Sequence, residues 1–469
     1  MRLRYSLLLL LGTLPASAQT APRSPDKPWS FPAGSQLHTE PAARLPRAAA
    51  LDPNVAYSLP DLIDIAERNN PQTRVYWERA REAAESLGVS RAALFPTLAA
   101  VASASINQYS LFDGKFHHEN TTLFPSLITL SWTALDFGAR DARIDVARAN
   151  LLAADFAFND VHRNLIFQVA QGYYKLLNAL SQQDAAEAAL MDAQTLRDAV
   201  EAKLANGFST LPDVLDARAA AAQADYDLAS IRGIREVAEG DLGTLLGVPH
   251  GDRLQVRDIS SPSLPDSAMP YDAIVERAMN QRPDLLAQAA RVQAADASVR
   301  QAHSAWNPLL SFSGNWGHSN SIGQQLGEPE LRSRIYPWQA QLNLTWTIFD
   351  GGARNNDTER ARSSAEEARA QLADSRDRIE NEIWTAYVQF QTAVEQQKAA
   401  DALLDAADQS WKASIEAFQA GVRTFIDVSS TQKNLARART ARVAARLALL
   451  SSIANLAFRA GDPVPGTQH

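Results

Sequence analysis

Apolar and polar residues alternate strictly in two stretches of the chain. From 339 to 348, Ala340, Leu342, Leu344, Trp346 and Ile348 are apolar, while Gln339, Gln341, Asn343, Thr345 and Thr347 are polar. That period of two predicts a strand with two unlike faces. Asp350-Gly351-Gly352 breaks it. Residues 128–134 repeat the design, with Ile128, Leu130, Trp132 and Ala134 on one side, Thr129, Ser131 and Thr133 on the other, and Asp136-Phe137-Gly138 after them. Upstream, Ala100, Ala102, Ala104 and Ile106 alternate with Val101, Ser103, Ser105 and Asn107. Residues 97–136 therefore predict a hairpin around a polar loop at 111–120, and residues 309–350 predict a second one.

Between the hairpins the texture is helical. Leu59–Arg68 reads as a short helix, and Asn70-Pro71 opens another that runs to Leu94, since proline is tolerated in a first helical turn. From Gly138 to Ala205 the chain is dense in alanine and charge and holds no proline. At about 1.5 Å per residue such a helix spans on the order of 100 Å, so it must project from any compact body. Asn206-Gly207 stops it, and a return helix is expected from Asp213 to Leu246, before Gly247 and Pro249.

The whole pattern then recurs. Trp132 pairs with Trp346, Asp136 with Asp350, Gly207 with Gly421, Asp213 with Asp427 and Pro249 with Pro463, each 214 residues apart; Pro71 with Pro283 and Pro96 with Pro308 are 212 apart. The two-residue difference falls inside the hairpin. A constant offset through the helices means that both helical hairpins have equal length and that their tips lie at one level. The expected organisation is a signal peptide at 1–18, an extended segment at 19–57, a first repeat at 58–249 with its helical hairpin at 138–246, a linker at 250–270, a second repeat at 271–463 with its helical hairpin at 353–460, and a tail at 464–469.

Composition narrows the class. Arg2 and Arg4 precede the apolar run Leu7–Leu11, and Ala16-Ser17-Ala18 offers a small-residue cleavage site, as in a secretory signal. With no cysteine, the exported chain has no disulfide, no thiolate metal site and no lipid-bearing cysteine. A net charge of -8 argues against nucleic acid as a partner. No later segment reads as a transmembrane helix. His117-His118 sits in the expected loop without a helical H-x-x-x-H partner, and no nucleotide-binding or nucleophile motif occurs, so no catalytic residue, metal or cofactor is expected.

The helices alone fit a coiled-coil rod as well as the wall of a tube. The strands favour the tube. They are long enough to cross a bilayer when tilted, and Trp132, Trp306, Trp316, Trp338 and Trp346 lie in or beside them, as interfacial aromatics would. The competing reading is a soluble antiparallel sheet packed on the helices. Four strands fall short of the roughly eight needed for a closed membrane barrel, so the chain must assemble.

From Ser58 to Pro463 the sequence resembles the TolC-like outer membrane efflux proteins: two repeats, NNP and QRP before the strands, a tryptophan strand ending in Asp-x-Gly, and the tip sequences NGFSTLPDVLDAR and AGVRTFIDVSSTQ. The resemblance implies an α+β membrane protein in which a homotrimer builds a twelve-stranded outer membrane barrel continued by a periplasmic α-helical barrel. It implies a periplasmic adaptor and an inner membrane pump as partners, outer membrane lipid around the strands, and passive export of small molecules. The outer channel of a type I protein secretion system and a periplasmic coiled-coil scaffold or adhesin are the alternatives. Trp132, Leu342, Leu344 and Trp346 are expected to face lipid, with Gln341, Asn343, Thr345 and Thr347 facing the pore.

At the tips, Thr210 with Asp213 and Thr424 with Asp427 have the spacing of an N-cap and N3 pair. The resemblance places the periplasmic gate here. It matches Phe418 and Arg423 to gate-constraint positions, with Asp213 as the expected partner of Arg423, and Asp427 to an acidic ring; Ser430 stands where some relatives carry a second aspartate, and Asp216 is the nearby charge in the first repeat. Gly207, Phe208, Gly421 and Val422 are the expected adaptor contacts.

Overall fold

The computed structural model describes residue 52 and residues 55–112, 116–248, 254–258, 270–325 and 329–462. All of them belong to one compact unit, Ala48–His469. The signal peptide, the tail and Pro249 and Pro463 lie outside the described residues, as do the side chains of His117 and His118.

The first repeat runs β1 Ala56–Tyr57, α1 Leu59–Asn69, α2 Pro71–Ala92, β2 Thr97–Ala102, β3 Ser105–Phe112, β4 Phe116–Leu135, α3 Ala139–Ala205 and α4 Leu211–Leu246. The second runs β5 Gln255–Val256, α5 Tyr271–Gln281, α6 Pro283–Ser304, β6 Leu309–Gln325, β7 Leu331–Ile335, β8 Trp338–Thr345, α7 Ala353–Gln419 and α8 Phe425–Ala460. The long helices have 67 residues each and the return helices 36 each, so the constant offset did mean hairpins of equal length. β1 and β5 pair in parallel, which puts strand at the end of the segment expected to be merely extended and inside the expected linker.

Three boundaries differ from expectation. The polar loop at 111–120 is mostly ladder, with β3 continuing to Phe112 and β4 starting at Phe116. In the second hairpin β8 ends at Thr345, because the Trp346 indole donates to the Trp306 carbonyl (3.1 Å) and the chain turns toward the helix. The return helix of the first repeat starts at Leu211, two residues early, because Thr210 caps it and proline is accepted at its second position.

Each long helix is covered along its length by several partners. Helix α3 packs against α4, α2, α6 and α8, and α7 against α8 and α6. The pre-strand helices thus cover the halves that the return helices do not reach. Closeness comes from alanine: Ala170, Ala179, Ala217, Ala386, Ala393 and Ala438 are buried between helices that still expose charged faces. Among the described residues, larger side chains gather in four clusters, two of which frame the site. Leu62, Val169, Tyr173, Leu176, Leu242 and Leu246 form a core where α1 meets the first hairpin, and Leu196, Val200, Val214, Phe425, Val428 and Leu435 form one at the tips. Helix α8 is long and apolar enough to cross a membrane by composition, against expectation. Its apolar residues are spent on packing: Leu449, Ile453 and Leu456 sit against Ala386, Phe390 and Ala393 of α7.

The sheet is antiparallel, with β4 and β6 central, β2 and β3 along one edge and β7 and β8 along the other. The edge strands are interrupted where proline enters the ladder. Pro125 stands opposite Ser103 and Pro337 opposite Gly317, and at both points the proline carbonyl still accepts a backbone N–H (3.1 Å). Register is the same on both sides of each interruption, so the alternation of faces persists along the full strand.

Candidate functional site

Three regions carry the expected function: the sheet, the seam where strand becomes long helix, and the tips. On the sheet, the pairing puts Trp132, Phe312 and Leu342 in one row, Leu98, Leu130, Gly314 and Ala340 in another, and Ala100, Ile128, Trp316 and Trp338 in a third, all on one face. Trp338, Leu342, Leu344 and Trp346 are 61–76% exposed, and Trp132 is 39% exposed. An apolar face so open is unstable in water and suited to lipid. The rows between hold Thr97, Ser131, Ser313 and Gln341, and Thr129, Asn315 and Gln339. Their side chains bond to one another: Thr97 and Ser131 hydroxyls lie 2.6 Å apart, Asn315 donates to Gln339 (3.3 Å) and Gln341 to Asn343 (2.6 Å). Among the described residues both edges are open, which lipid does not tolerate.

The seam is built twice by the same device. Asp136 accepts from the backbone N–H of Arg140 (2.8 Å) and from its Nε (3.0 Å); Asp350 accepts likewise from Arg354 (3.1 and 2.6 Å). The held guanidinium then donates back to carbonyls just before the turn, Arg140 to Thr133 (2.6 Å) and Ala134 (3.3 Å) in β4, Arg354 to Ile348 (3.3 Å) three residues past β8. Arg354 also stacks on the Trp306 ring at 4.5 Å. Left-handed Gly138 and Gly352 (φ 99° and 90°) turn the chain between aspartate and arginine, a conformation that costs glycine little. Sequence reasoning found the aspartates and missed the arginines. The shared spacing Asp-x-Gly-Ala-Arg was the available signal.

At the tips the two expected capping pairs form. The Thr210 hydroxyl lies 2.6 Å from the Asp213 carboxylate and the Thr424 hydroxyl 2.8 Å from that of Asp427, while each threonine backbone N–H donates to the same carboxylate (3.1 Å). The threonine hydroxyl, then the backbone N–H, hold Asp427 below the usual carboxylate range; the Thr210 hydroxyl does the same for Asp213. Gly207 and Gly421 take left-handed φ of 77° and 80° at the turn, as helix terminators. Asp216 is exposed, as are Phe208, Leu211, Leu215, Val422 and Ile426, the last five forming apolar ends on both tips.

Two gate expectations do not hold within the protomer. Arg423 does not reach Asp213, whose carboxylate is engaged by Thr210 and Ser209; it donates to Ser414 Oγ (2.7 Å), with Asp427 as its acidic neighbour. Phe418 is a core residue, 5% exposed, packed among Leu196, Val200 and Val214. Lys203 of the other hairpin donates to its carbonyl and places its ammonium 3.9 Å from the ring centroid, a pairing that ties the two tips together.

The sequence and the fold have counterparts among known proteins. The chain is 26% identical to the pyoverdine export outer membrane protein OpmQ of Pseudomonas putida, over 95% of its own length and 94% of that protein's. It is 28% identical to the cation efflux system protein CusC of Escherichia coli over 54% of each chain. Among solved structures, the outer-membrane channel OprN superimposes with a TM-score of 0.77 (21% identity, 86% of this chain and 90% of that one), and the MtrE channel of Neisseria gonorrhoeae with 0.72 (20%, 88% and 91%). The sequence pattern of the outer membrane efflux protein family matches residues 62–248 and again residues 274–462, one match to each repeat, and the chain belongs to that family.

Proposed function

We propose that the protein is the outer membrane channel of a tripartite efflux system, a passive duct whose strands lie in the outer membrane and whose helices extend through the periplasm. The observation that carries this is the seam: a sheet with one open apolar face passes, through two corresponding Asp–Arg locks, directly into two hairpins of equal length. The open sheet edges are closed by two further copies, giving a twelve-stranded barrel above a ring of six hairpins. An adaptor meets the exposed apolar tips at Phe208 and Val422, and an inner membrane pump supplies the cargo.

Small solutes are the favoured cargo over polypeptide, because the relatives OpmQ and CusC are named for pyoverdine export and cation efflux. In the assembled tube, Arg423, Asp427, Asp213 and Asp216 become charged rings at the narrow end, where such rings govern ion passage. Phe418 and Lys203 keep the tips packed around them. Alkaline carbonate should leave the protein in the membrane fraction, and purified protein should form steady single channels in planar bilayers. Release by carbonate, or absence of conductance from stable trimers, refutes the channel.

A further inference from the structure

On the last edge strand the outward apolar run ends at Tyr336, and the positions beyond it have a chemistry of their own, while Phe124, Ile322 and Ile106 keep neighbouring outward positions apolar. Along β7 and β8 the outward positions from Trp346 back to Tyr336 are all apolar or aromatic. That distance matches the roughly 9–11 residues with which a tilted strand crosses a bilayer. Trp346 stands at one end of the band, with Trp338, Trp316 and Tyr336 at the other. The next two outward positions on the same strand are Arg334 and Arg332, paired with Asn320 and Ile322 of β6. Register does not slip between Trp338 and Arg332, so the arginines point to the lipid side at headgroup level.

Just below them the surface is hollow. An apolar groove of about 410 Å³ is lined by Ala100, Ala102, Ile128, Trp316, His318 and Tyr336, with the β4–β6 backbone at its floor. It exists because Ala100, Ala102 and Ser126 are small where their row neighbours Ile128, Trp316 and Tyr336 are large. Its upper rim is polar and pre-arranged. His318 Nε2 lies 3.1 Å from Asn320 Oδ1, and that oxygen accepts from Arg334 Nε (3.4 Å). The terminal nitrogens of Arg334 have no protein partner among the described residues, and Arg332 has only a 3.4 Å contact to exposed Glu330.

From this juxtaposition we infer that each protomer holds one phosphorylated, acylated lipid of the outer leaflet, its chain in the Trp316–Tyr336 groove and its phosphate on Arg334 and Arg332. Guanidinium recognises phosphate through paired N–H donors, and basic clusters beside membrane-facing grooves bind anionic headgroups by the same chemistry. A groove without the arginines would take any acyl chain. Arginines without the groove would take any phosphate. The inference rests on the channel reading, since it needs the apolar rows to lie in a membrane.

The test uses full-length trimers in mild detergent, titrated with diphosphorylated lipid A and with its dephosphorylated counterpart, with bound lipid counted by native mass spectrometry. Three lipids per trimer are expected, held at least about tenfold more tightly with phosphate than without, as loss of one good charge-assisted contact would give. R332Q/R334Q should abolish that preference, A100F/A102F should fill the groove and lower affinity for both lipids, and each variant should conduct as the unaltered channel does. Equal binding of the two lipids, a preference that survives R332Q/R334Q, or displacement of lipid A by an equal concentration of inorganic phosphate overturns the inference. If conductance is absent from the unaltered protein, the channel reading fails; if conductance is intact and phosphate selectivity is missing, only the lipid site fails.

Discussion

Removing the arginine from a seam tests whether barrel and duct are one mechanical piece. In Arg140→Met the side chain keeps much of its apolar length and loses every donor. Lost with them are the contacts to Asp136 (3.0 Å) and the Thr133 carbonyl (2.6 Å), with weaker ones to Ala134 (3.3 Å) and Ala93 (3.4 Å). Both members of the pair are largely buried, with side chains 16% and 10% exposed. Breaking a buried pair from one side costs about 3–5 kcal/mol, because the remaining charge stays desolvated. Asp136 keeps one compensation, the backbone N–H of residue 140 at 2.8 Å, which puts the expected cost near the low end, about 3 kcal/mol.

Membrane assemblies of this kind unfold irreversibly, so the useful readout is a lifetime. The half-life of the proposed trimer in detergent at a fixed temperature should fall on the order of 100-fold if the seam parts before the rate-limiting step, at about 1.4 kcal/mol per decade. A double-mutant cycle with Asp136→Asn separates the pair from its surroundings. A coupling of about 1.5–3 kcal/mol is expected for two groups in direct contact, and a value below about 0.5 kcal/mol refutes the lock. Arg354→Met in the second repeat should shorten the lifetime in the same direction.

Other perturbations reach the sheet, the gate and the caps. A Cβ at Gly317 would lie 2.2 Å from the Ser126 carbonyl oxygen and 2.8 Å from Leu127 Cα, so Gly317→Ala should sharply lower the yield of assembled trimer, while Gly314→Ala, with its nearest contact at 3.3 Å, should assemble; equal yields refute the close approach of β4 to β6. Arg423→Ser removes the bond to Ser414 and the cation beside Asp427, and single-channel conductance should rise; unchanged conductance removes Arg423 from the gate. Asp213 and Asp427 have depressed folded-state pKa values, so their capping contribution is complete above the ordinary carboxylate pKa near 3.8 and is lost as pH falls through the lower folded value. Amide exchange at 211–214 and 425–428 should therefore lose protection only in strong acid, and Thr424→Ala should move the onset at the second tip to higher pH; protection that fades near neutrality contradicts the caps.

How much of this was visible beforehand follows from what each feature answers to. The helical hairpins were legible because their tips must be level: any insertion in one would shift a tip, so 67- and 36-residue helices recur at one offset and can be read by subtraction. The seam arginines were not, since a chain with 45 basic and 53 acidic residues holds many Asp–Arg pairs at helical spacing. What singles out Arg140 and Arg354 is that each reaches back to backbone carbonyls before the turn, Thr133 and Ala134 for one and Ile348 for the other, contacts that exist only once the chain has turned through Gly138 and Gly352. The burial of Phe418 was hidden for a related reason. Beside Trp411, Phe425 and Val428 of its own repeat, its cluster draws on Leu196, Val200 and Val214 of the other repeat, with Lys203 over its ring, and local sequence carries no trace of those.

The segment at 111–120 was misread on different grounds. Polarity reports what a residue faces, and it reports secondary structure only while the surroundings stay the same. Within the bilayer the outward rows must be apolar and the inward rows polar, so Ile128–Ala134 and Ala340–Ile348 show clean alternation. Beyond Tyr336 and Ser126 the outward rows mix polar and apolar residues, Phe124 with Asn320 and Arg334, then Ile106 with Thr122, Ile322 and Arg332, then Gln108 with Asn120, and the ladder continues unbroken. That mixture removes the contrast that marks a strand, while the hydrogen bonds that define it continue. On the channel reading, the point where alternation fades along β4 and β7, level with Arg334, is where the outer edge of the bilayer is expected, and the lipid exposure of spin labels along β4 would locate it.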